Sequence, residues 1–484
     1  MPKALKSRAS KQIYVSQSQL TLDGFETPFS QKLNPDNRWI LLSSKIPWDR
    51  LVSFYQSKLR NFQTGASSIN PRVVIGSLII KHICDLSDEE TVLQIQENMY
   101  MQFFIGYSGF SNEIPFDPSL FVEFRKRLTI EDINRINEEL LNVKAADVIP
   151  QEPNYDQLES INKETNSGDL IIDATVCPQD IAYPTDLNLL NDAREHAEYF
   201  IDILYELTQE KVKPRTYRQI ARKNYLQTAQ RKKNSKKQLR NSIKGQLGYL
   251  GRNLRTINKL LDSIDHLPFD KKDYRIFLVI QEVFRQQQHM FQNNTHSIEN
   301  RIVSISQPHV RPIVRGKPNA NTEFGSKILL SIMNGYSFLE ELIWDAYNEG
   351  QYLMKSVERY KQRFGHYPEK VMADKIFCNR ENRRKLKILG ITLRAKPLGR
   401  PKAVEESHIS PGERNPIESK FGQAKTKYGM NRIRARLKTT SQSWIASIVL
   451  VLNLVKLAGE VPLWIARWII ESLNSPKTLR LLFQ

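Results

Sequence analysis

The sequence contains few cysteines, and none of them lie close together. Only three of its 484 residues are cysteine (Cys84, Cys177 and Cys378), and no two of them form a Cys-x-x-Cys pair. An odd number of widely spaced cysteines argues against a disulfide framework and against a zinc site built from cysteine. The cysteine usage therefore fits a reducing compartment such as the cytoplasm.

Motifs for a histidine-based metal site and for a nucleotide-binding loop are also missing. The eight histidines form no His-x-x-x-His or His-Glu-x-x-His pair. The sequence contains no glycine-rich phosphate loop of the Gly-x4-Gly-Lys type, so we expect no dependence on ATP.

We expect no signal peptide, and the sequence contains no long hydrophobic run. Residues 1–19 are polar and basic, without the apolar centre of a signal peptide. The one candidate membrane segment, residues 444–457, is shorter than the roughly 20 residues that a spanning helix needs, and Asn453 and Lys456 fall near its end. We predict a buried helix there and no contact with a membrane.

Positive charge is concentrated in one part of the chain. The formal net charge is +19, yet residues 1–150 contain 17 basic and 17 acidic residues. Residues 211–259 contain 16 lysines and arginines and no acidic residue. This imbalance predicts that residues 211–259 form a local surface that binds a polyanion, whereas the protein as a whole is not uniformly basic.

Hydrophobic periodicity divides the chain into helical and α/β parts. The length allows two or three domains, each with its own core. Residues 39–141 have helical spacing, and Ser87 is the predicted N-cap of a helix with acidic residues in its first turn. The turn at residues 85–87 is compatible with a DNA-reading helix-turn-helix or with an ordinary helical domain. Residues 150–168 predict a linker, and residues 186–300 predict helices. Strands are predicted at residues 170–172, 301–305, 327–332 and 370–373, with a helix at residues 339–364, which together indicate an α/β core.

Three acidic residues in the second half have contexts that suit metal ligands. Asp173 and Asp374 each follow an apolar run, and Glu418 lies among basic residues on a predicted helix. Two-metal phosphoryl transfer needs hard oxygen ligands that hold the ions roughly 4 Å apart. A single Asp after an apolar run is more often a turn or cap residue, and Asp180 and Asp186 compete with Asp173 for this role. Asp173 is preferred because it follows the most apolar run.

Glu418 also has basic neighbours at helical spacing. Arg414 precedes it by one helical turn, and Lys425 lies two turns beyond it on the same face. A solvated ladder of ion pairs would give the same spacing, but it would not explain why two other acids follow predicted strands.

The segments around these acids resemble the three catalytic blocks of insertion-sequence DDE transposases. The first block begins at Asp173, and the second is Ala373-Asp374-Lys375-Ile376-Phe377 with Asn382 and Gly390. The third, Arg414-x3-Glu418-x6-Lys425, matches the family pattern Tyr-x2-Arg-x3-Glu-x6-Lys, except that Pro411 replaces the tyrosine. Segments at residues 86–89, 103–106 and 124–128 resemble the N-terminal helical domain of InsH-type transposases.

The resemblance implies an α+β or α/β protein, in which an all-α N-terminal domain precedes an RNase H-like mixed-sheet core with a helical insertion. Asp173, Asp374 and Glu418 would bind two Mg²⁺ ions, which Mn²⁺ can replace. The implied segments are a disordered tail (1–20), a helical domain that binds DNA ends (21–149), a linker (150–168), the first part of the core (169–195), a basic helical insertion (196–300), the second part of the core (301–465) and a C-terminal tail (466–484).

Basic residues outside the acidic motifs predict contacts with DNA. The resemblance implies that Arg414 and Lys425 contact phosphates at the transposon end. The predicted insertion supplies Lys232, Lys233, Lys236, Lys237 and Arg240, and the segment after Glu418 supplies Arg432, Arg434 and Arg436. No acidic residue is available nearby to pair with the first group, so contact with the DNA backbone is favoured over a merely solvated face.

The resemblance, together with the cysteine usage and the charge pattern, therefore implies a cytoplasmic, Mg²⁺-dependent DNA transposase that would bind double-stranded transposon ends and target DNA and form a dimer at synapsis. Two alternatives remain open. One is a related nuclease that cuts without joining, and the other is a transposase-derived DNA-binding protein that has lost catalysis.

Overall fold

The structure is a computed structural model that describes residues 32–57, 69–141, 166–208, 211–264, 267–317, 320–345, 347–395 and 412–459. The predicted tails at residues 1–20 and 466–484, most of the predicted linker and Pro411 lie outside the described residues.

The N-terminal part is helical, as predicted. Asn70 caps α3 by accepting a hydrogen bond from the Arg72 amide, and the predicted cap Ser87 accepts one from the Glu90 amide at the start of α4. The helices of this part are α1 (Arg38–Lys45), α2 (Trp48–Ser57), α3 (Pro71–Cys84), α4 (Asp88–Glu97), α5 (Met99–Phe104), α6 (Leu120–Arg127) and α7 (Ile130–Leu140).

A mixed sheet forms the centre of the second part. Its strands are β1 (Asp169–Pro178), β2 (Arg311–Lys317), β3 (Ala320–Met333), β4 (Tyr336–Ile343), β5 (Lys370–Met372) and β6 (Thr392–Arg394). β3 pairs antiparallel with β1, β2 and β4, whereas β1, β5 and β6 are parallel neighbours. Helices α12 (Leu353–Phe364), α13 (Arg380–Ile388), α14 (Asn415–Lys427) and α15 (Lys438–Gly459) complete this part. The arrangement confirms the predicted α+β, RNase H-like core.

The prediction of one helix over residues 339–364 is wrong in its first part. Residues up to Ile343 continue the sheet as β4, and α12 begins only at Leu353. The cause is the Asn334-Gly335 turn, in which both residues have positive φ angles of 52° and 78°. Asn-Gly favours a tight hairpin, and this turn folds β4 back onto β3.

The predicted strand at residues 301–305 is also absent. Ile302 and Ile305 are buried, but they belong to the hydrophobic core of the helical insertion. The Ile302 amide donates to the Gln286 side chain instead of to a neighbouring strand. Apolar residues here serve helix packing, and the strand begins later, at Arg311.

The helical insertion interrupts the sheet between β1 and β2, as predicted. Its helices are α8 (Asp186–Leu207), α9 (Arg218–Ala229), α10 (Lys236–Leu261) and α11 (Lys271–Gln292). The predicted boundary between residues 195 and 196 falls inside α8, so the insertion begins closer to Asp186. Residues from α8, α10 and α11 form a hydrophobic core separate from that of the sheet.

The N-terminal helices do not have a large core of their own, contrary to the expectation from chain length. Most of their buried residues form one hydrophobic cluster with α14, α15 and one face of the sheet, and a small cluster around Leu33 and Phe103 is confined to the N-terminal part. Inside this cluster, the Asn453 amide of α15 donates to the Asn137 side chain of α7 and to the Ser337 carbonyl of β4. All three groups are buried and hydrogen-bonded, so they fix the positions of α7 and α15 on the sheet.

Among the described residues one helix, α15, is long and apolar enough to cross a membrane by length and composition. It packs as a core helix, and 67% of its most apolar window is buried within the protein. The buried helix predicted for residues 444–457 is therefore confirmed.

Candidate active site

Asp173 lies within β1, not at its end as the sequence suggested. It pairs with Leu330 of β3, whereas the parallel pairing of β1 with β5 stops at Ile171. Side chains alternate along a strand, so Asp173 shares a face with Ile171, which packs against Ile417 of α14. Asp173 is therefore positioned just beyond the parallel strand pair, on the side that α14 covers.

Asp374 follows β5 and lies at the same edge of the parallel pair. Its carboxylate accepts a hydrogen bond from the Lys375 amide at 2.7 Å, which caps a short 3-10 helix, Lys375–Phe377. The buried side chain of Asn382 donates to the Phe377 carbonyl at 2.9 Å and to the Gly350 carbonyl at 2.8 Å. Asn382, which the resemblance included in the second block, thus ties the Asp374 loop to the neighbouring loop.

Arg414 joins the two aspartates. One terminal nitrogen of its guanidinium lies 2.6 Å from Asp173 Oδ2, and the other lies 3.3 Å from Asp374 Oδ1. The Arg414 and Asp173 side chains are largely buried, whereas Asp374 is half exposed. The sequence predicted that Arg414 faces DNA phosphates, but in this structure its partners are the two carboxylates.

Helix α14 brings Glu418 to this edge of the sheet. Ile417 is fully buried against Ile171 and Met372, which seats the first turn of α14 on β1 and β5. Glu418 follows directly and is exposed, while Lys425 is half-buried further along the helix. Within the described part of the chain, no three His, Cys, Asp or Glu side chains come close enough to hold one metal ion. Glu418 therefore does not complete a three-carboxylate cluster in this conformation.

The surroundings of Asp173 disfavour its charged form. Burial raises the pKa of Asp173, and the nearby charges of Asp374 and Glu349 add to the increase, while Arg414 and the Ala174 amide oppose it. A cation beside this carboxylate therefore favours its ionised form.

Glu349 is an acidic neighbour that the sequence did not predict. It begins the 3-10 helix Glu349–Tyr352, and its carboxylate lies 2.5 Å from Lys327 Nζ of β3. The adjacent Gly350 is the residue that Asn382 ties to the Asp374 loop. No periodic pattern marks Glu349, because it lies in an irregular connection between β4 and α12.

The two competing aspartates have other partners. Asp186 accepts hydrogen bonds from Arg301 at 2.7 Å and from the Gln287 amide at 2.8 Å, which holds the start of α8 to the end of the insertion. Asp180 pairs with Arg432 at 2.9 Å. Within the described part of the protein neither contacts Asp374, whereas Asp173 shares Arg414 with it, so Asp173 is the residue of the first block that the fold brings next to the second.

The basic residues of the insertion fall into two groups. Lys232 and Lys233 lie between α9 and α10, and Lys236 and Lys237 lie in the first turn of α10; all four are exposed and form no ion pair within the described part of the protein. Arg240 differs, because its guanidinium donates to the Asn294 side chain and the Phe291 carbonyl, each at 3.0 Å, and stacks on the Phe291 ring.

Arg432, Arg434 and Arg436 share one surface. The alternating residues Ile433 and Ala435 are buried, whereas the three arginines are exposed. Ile433 forms a parallel bridge with Gln179 at the end of β1, so this segment continues the edge of the sheet. A period of two therefore places all three guanidinium groups on the outer face.

Comparisons with known proteins agree with this architecture. Residues 27–127 match a family described as a transposase domain (DUF772), and residues 371–455 match one described as a transposase DDE domain. The second match includes Asp374 and Glu418, whereas Asp173 lies outside both. The "Uncharacterized protein ORF8 in nfe locus" of Rhizobium meliloti is 32% identical over 168 residues, which are 34% of this chain and 74% of that protein. No solved structure matches the chain.

The chain therefore belongs to the DDE transposases of insertion sequences. Members of this class act on DNA and generally use divalent metal ions.

Proposed function

We propose that this transposase binds the terminal inverted repeats of its element, cuts the DNA there and joins the freed ends to target DNA. The proposed ligands of two Mg²⁺ ions are Asp173, Asp374 and Glu418, and Mn²⁺ can replace Mg²⁺. The observation that carries this proposal is the convergence of Asp173 and Asp374, from two separate strands, on the single guanidinium of Arg414.

The residues fit a hard divalent cation. Both converging groups are carboxylates, the ligands that Mg²⁺ prefers, and few protein ligands are needed because phosphate oxygens and water complete its coordination. The guanidinium of Arg414 is a stand-in cation between them in this structure. Glu418 lies in the first turn of the helix that begins at Arg414, and its side chain is exposed.

The protein's own residues orient the reaction. The Ala174 and Lys375 amides donate to Asp173 and Asp374 at 2.8 and 2.7 Å, which fixes the direction of both carboxylates. When bound, the two ions would activate water and then the freed 3′-hydroxyl, and would stabilise the leaving oxygen. Arg414 and Lys425 would hold phosphates of the transposon end against α14.

The basic surfaces suit the backbone of double-stranded DNA. Lys236 and Lys237 lie at the N-terminus of α10, where the helix dipole disfavours positive charge, so local stability does not account for them. Arg432, Arg434 and Arg436 alternate with the buried Ile433 and Ala435, and all three side chains are exposed, although Arg432 also pairs with Asp180. We therefore assign both groups to phosphates. Arg240 also holds α10 against the end of α11, which fixes the position of the surface that carries Lys236 and Lys237.

The N-terminal domain, residues 21–149, is proposed to bind the transposon ends, but not through the helix pair α3 and α4. Helix α3 is buried along most of its length, and residues 85–98 contain no lysine or arginine. Helix α4 itself contains four acidic residues and no basic one, so its charge would repel DNA phosphates. A dimer at synapsis, which would hold both ends of the element, is part of the proposal.

The alternatives are separated by the products that the purified protein forms. A duplex that carries the inverted repeats flanking the gene should be cut and then joined to a target duplex in the presence of Mg²⁺ or Mn²⁺. Ca²⁺ should support binding without cutting, because its longer bonds and looser geometry position the nucleophile poorly. Cutting without joining would favour the nuclease, and binding without either step would favour the non-catalytic DNA-binding protein. Full activity in excess chelator would refute the metal mechanism.

A further inference from the structure

The guanidinium of Arg414 lies where a cation shared by Asp173 and Asp374 would lie. Its two terminal nitrogens contact the two carboxylates at 2.6 and 3.3 Å, and its Nε is buried without a hydrogen-bond partner. One positive charge thus partly neutralises two negative charges that come from different strands. A divalent cation could not contact both carboxylates in this arrangement without displacing Arg414.

The location of Arg414 in the helix does not by itself favour a cation. Arg414 is the N-cap residue of α14, makes no side-chain capping bond, and lies at the end where the helix dipole is positive. Its neighbour Glu413 pairs with a different arginine, Arg394, at 3.2 Å. Attraction to Asp173 and Asp374 is therefore the interaction that holds the side chain of Arg414 against the sheet.

We propose that Arg414 is a latch on the metal site: it pairs with Asp173 and Asp374 in the free protein, and a DNA phosphate draws it away so that divalent cations can bind. The inference rests on the proposed function, because it takes these carboxylates as the metal ligands. It adds that Arg414 binds first the two carboxylates and then a DNA phosphate. The binding of metal ions therefore depends on DNA.

The latch implies a coupling between metal and DNA that can be measured in both directions. If DNA releases Arg414 and thereby tightens metal binding, the metal must tighten DNA binding by the same factor. Coupling between two sites is typically about 5- to 150-fold, and a single partly buried ion pair suggests about tenfold. Without the guanidinium, DNA should tighten metal binding only through the phosphate oxygens that it supplies to the metal, so the dependence on DNA should be about tenfold smaller.

The test is a Mn²⁺ titration of the full-length protein, with free Mn²⁺ followed by electron paramagnetic resonance. Wild type, Arg414→Gln and the control Arg394→Gln are compared with and without a short blunt DNA duplex. Arg394→Gln removes a neighbouring arginine–carboxylate pair that does not involve Asp173 or Asp374. Without DNA, Arg414→Gln should bind Mn²⁺ about tenfold more tightly than wild type and the control. DNA should tighten binding about tenfold more in wild type and the control than in Arg414→Gln, because only the effect of DNA phosphates as metal ligands remains in the variant.

Equal or weaker Mn²⁺ binding by a folded Arg414→Gln in the absence of DNA would overturn the latch, as would an equal effect of DNA on all three proteins. If Arg414→Gln does not fold, Arg414→Lys replaces it. A lysine cannot span both carboxylates with two nitrogens, so tighter binding than wild type is again expected and unchanged binding is contradictory. The double variant Asp173→Asn/Asp374→Asn separates the two proposals. If its Mn²⁺ binding equals that of wild type, the metal site itself is wrong.

Discussion

Neutralising the exposed lysines of the insertion should change how DNA binding depends on salt. The variant replaces Lys232, Lys233, Lys236 and Lys237 with glutamine, since all four are exposed and form no ion pair within the described residues. Each lost phosphate contact should flatten the slope of log affinity against log salt by about 0.9 on duplex DNA, or about 3.6 for all four. Between 50 and 200 mM salt, the variant should therefore lose roughly 100-fold less affinity than wild type.

The assay is fluorescence anisotropy with random-sequence duplexes and with the inverted repeats, over a series of salt concentrations. Both kinds of DNA should show the same change in slope, because phosphates carry no sequence information. Arg240→Gln is the comparison variant: Asn294 and Phe291 hold its guanidinium against the end of α11, but both acceptors are neutral, so its loss should change the slope by no more than the roughly 0.9 of one contact. An unchanged slope in the fourfold variant would refute the assignment and indicate a face that is merely solvated or that contacts another protomer.

Two further predictions concern the stability of the fold, one at the loops beside the site and one in helix α3 of the N-terminal part. Replacing Asn382 with Ala should lower the free energy of unfolding by about 2 kcal/mol, because two buried carbonyls, Gly350 and Phe377, lose their donor. Urea denaturation measures this free energy of unfolding, and a loss below about 0.5 kcal/mol would contradict the proposed role of Asn382 in holding the two loops together. Burial lowers the pKa of Lys81 from 10.5 to about 8, despite its pairing with Asp88. Between these values the unfolded chain retains a proton that the folded protein has released, so stability should rise with pH by up to about 3 kcal/mol. Lys81→Met should abolish this rise, and an identical pH profile in both proteins would contradict it.

The sequence predicted elements well where hydrophobic spacing and local chemistry agree. The Ser87 cap, the helices of the insertion and the short strand before Asp374 follow local rules. The hairpin at Asn334-Gly335 also had a local signal, and the helix predicted across β4 overlooked it. Residues 301–305 misled the prediction for a different reason. Their apolar side chains pack against helices that are distant in sequence, and an apolar run does not reveal its partner.

Contacts between distant segments could not be predicted from local patterns. Arg414 and Glu418 have helical spacing, but the pairing of Arg414 with Asp173 and Asp374 depends on how α14 packs on β1 and β5. Glu349 approaches the same site because Asn382 ties two irregular loops together. Likewise, the shared core of α15 and the N-terminal helices depends on tertiary packing that chain length does not reveal.

The most direct test of the proposed chemistry is the cleavage rate of carboxylate variants on a duplex with the element's ends. Asp173→Asn, Asp374→Asn and Glu418→Gln keep the size of each side chain while weakening metal ligation. Each single variant and the triple variant should fall to the same uncatalysed background, with DNA binding largely retained, because the three residues act as one unit. If Asp173→Asn still cuts at nearly the wild-type rate, or if the three losses multiply independently, this set of ligands is wrong.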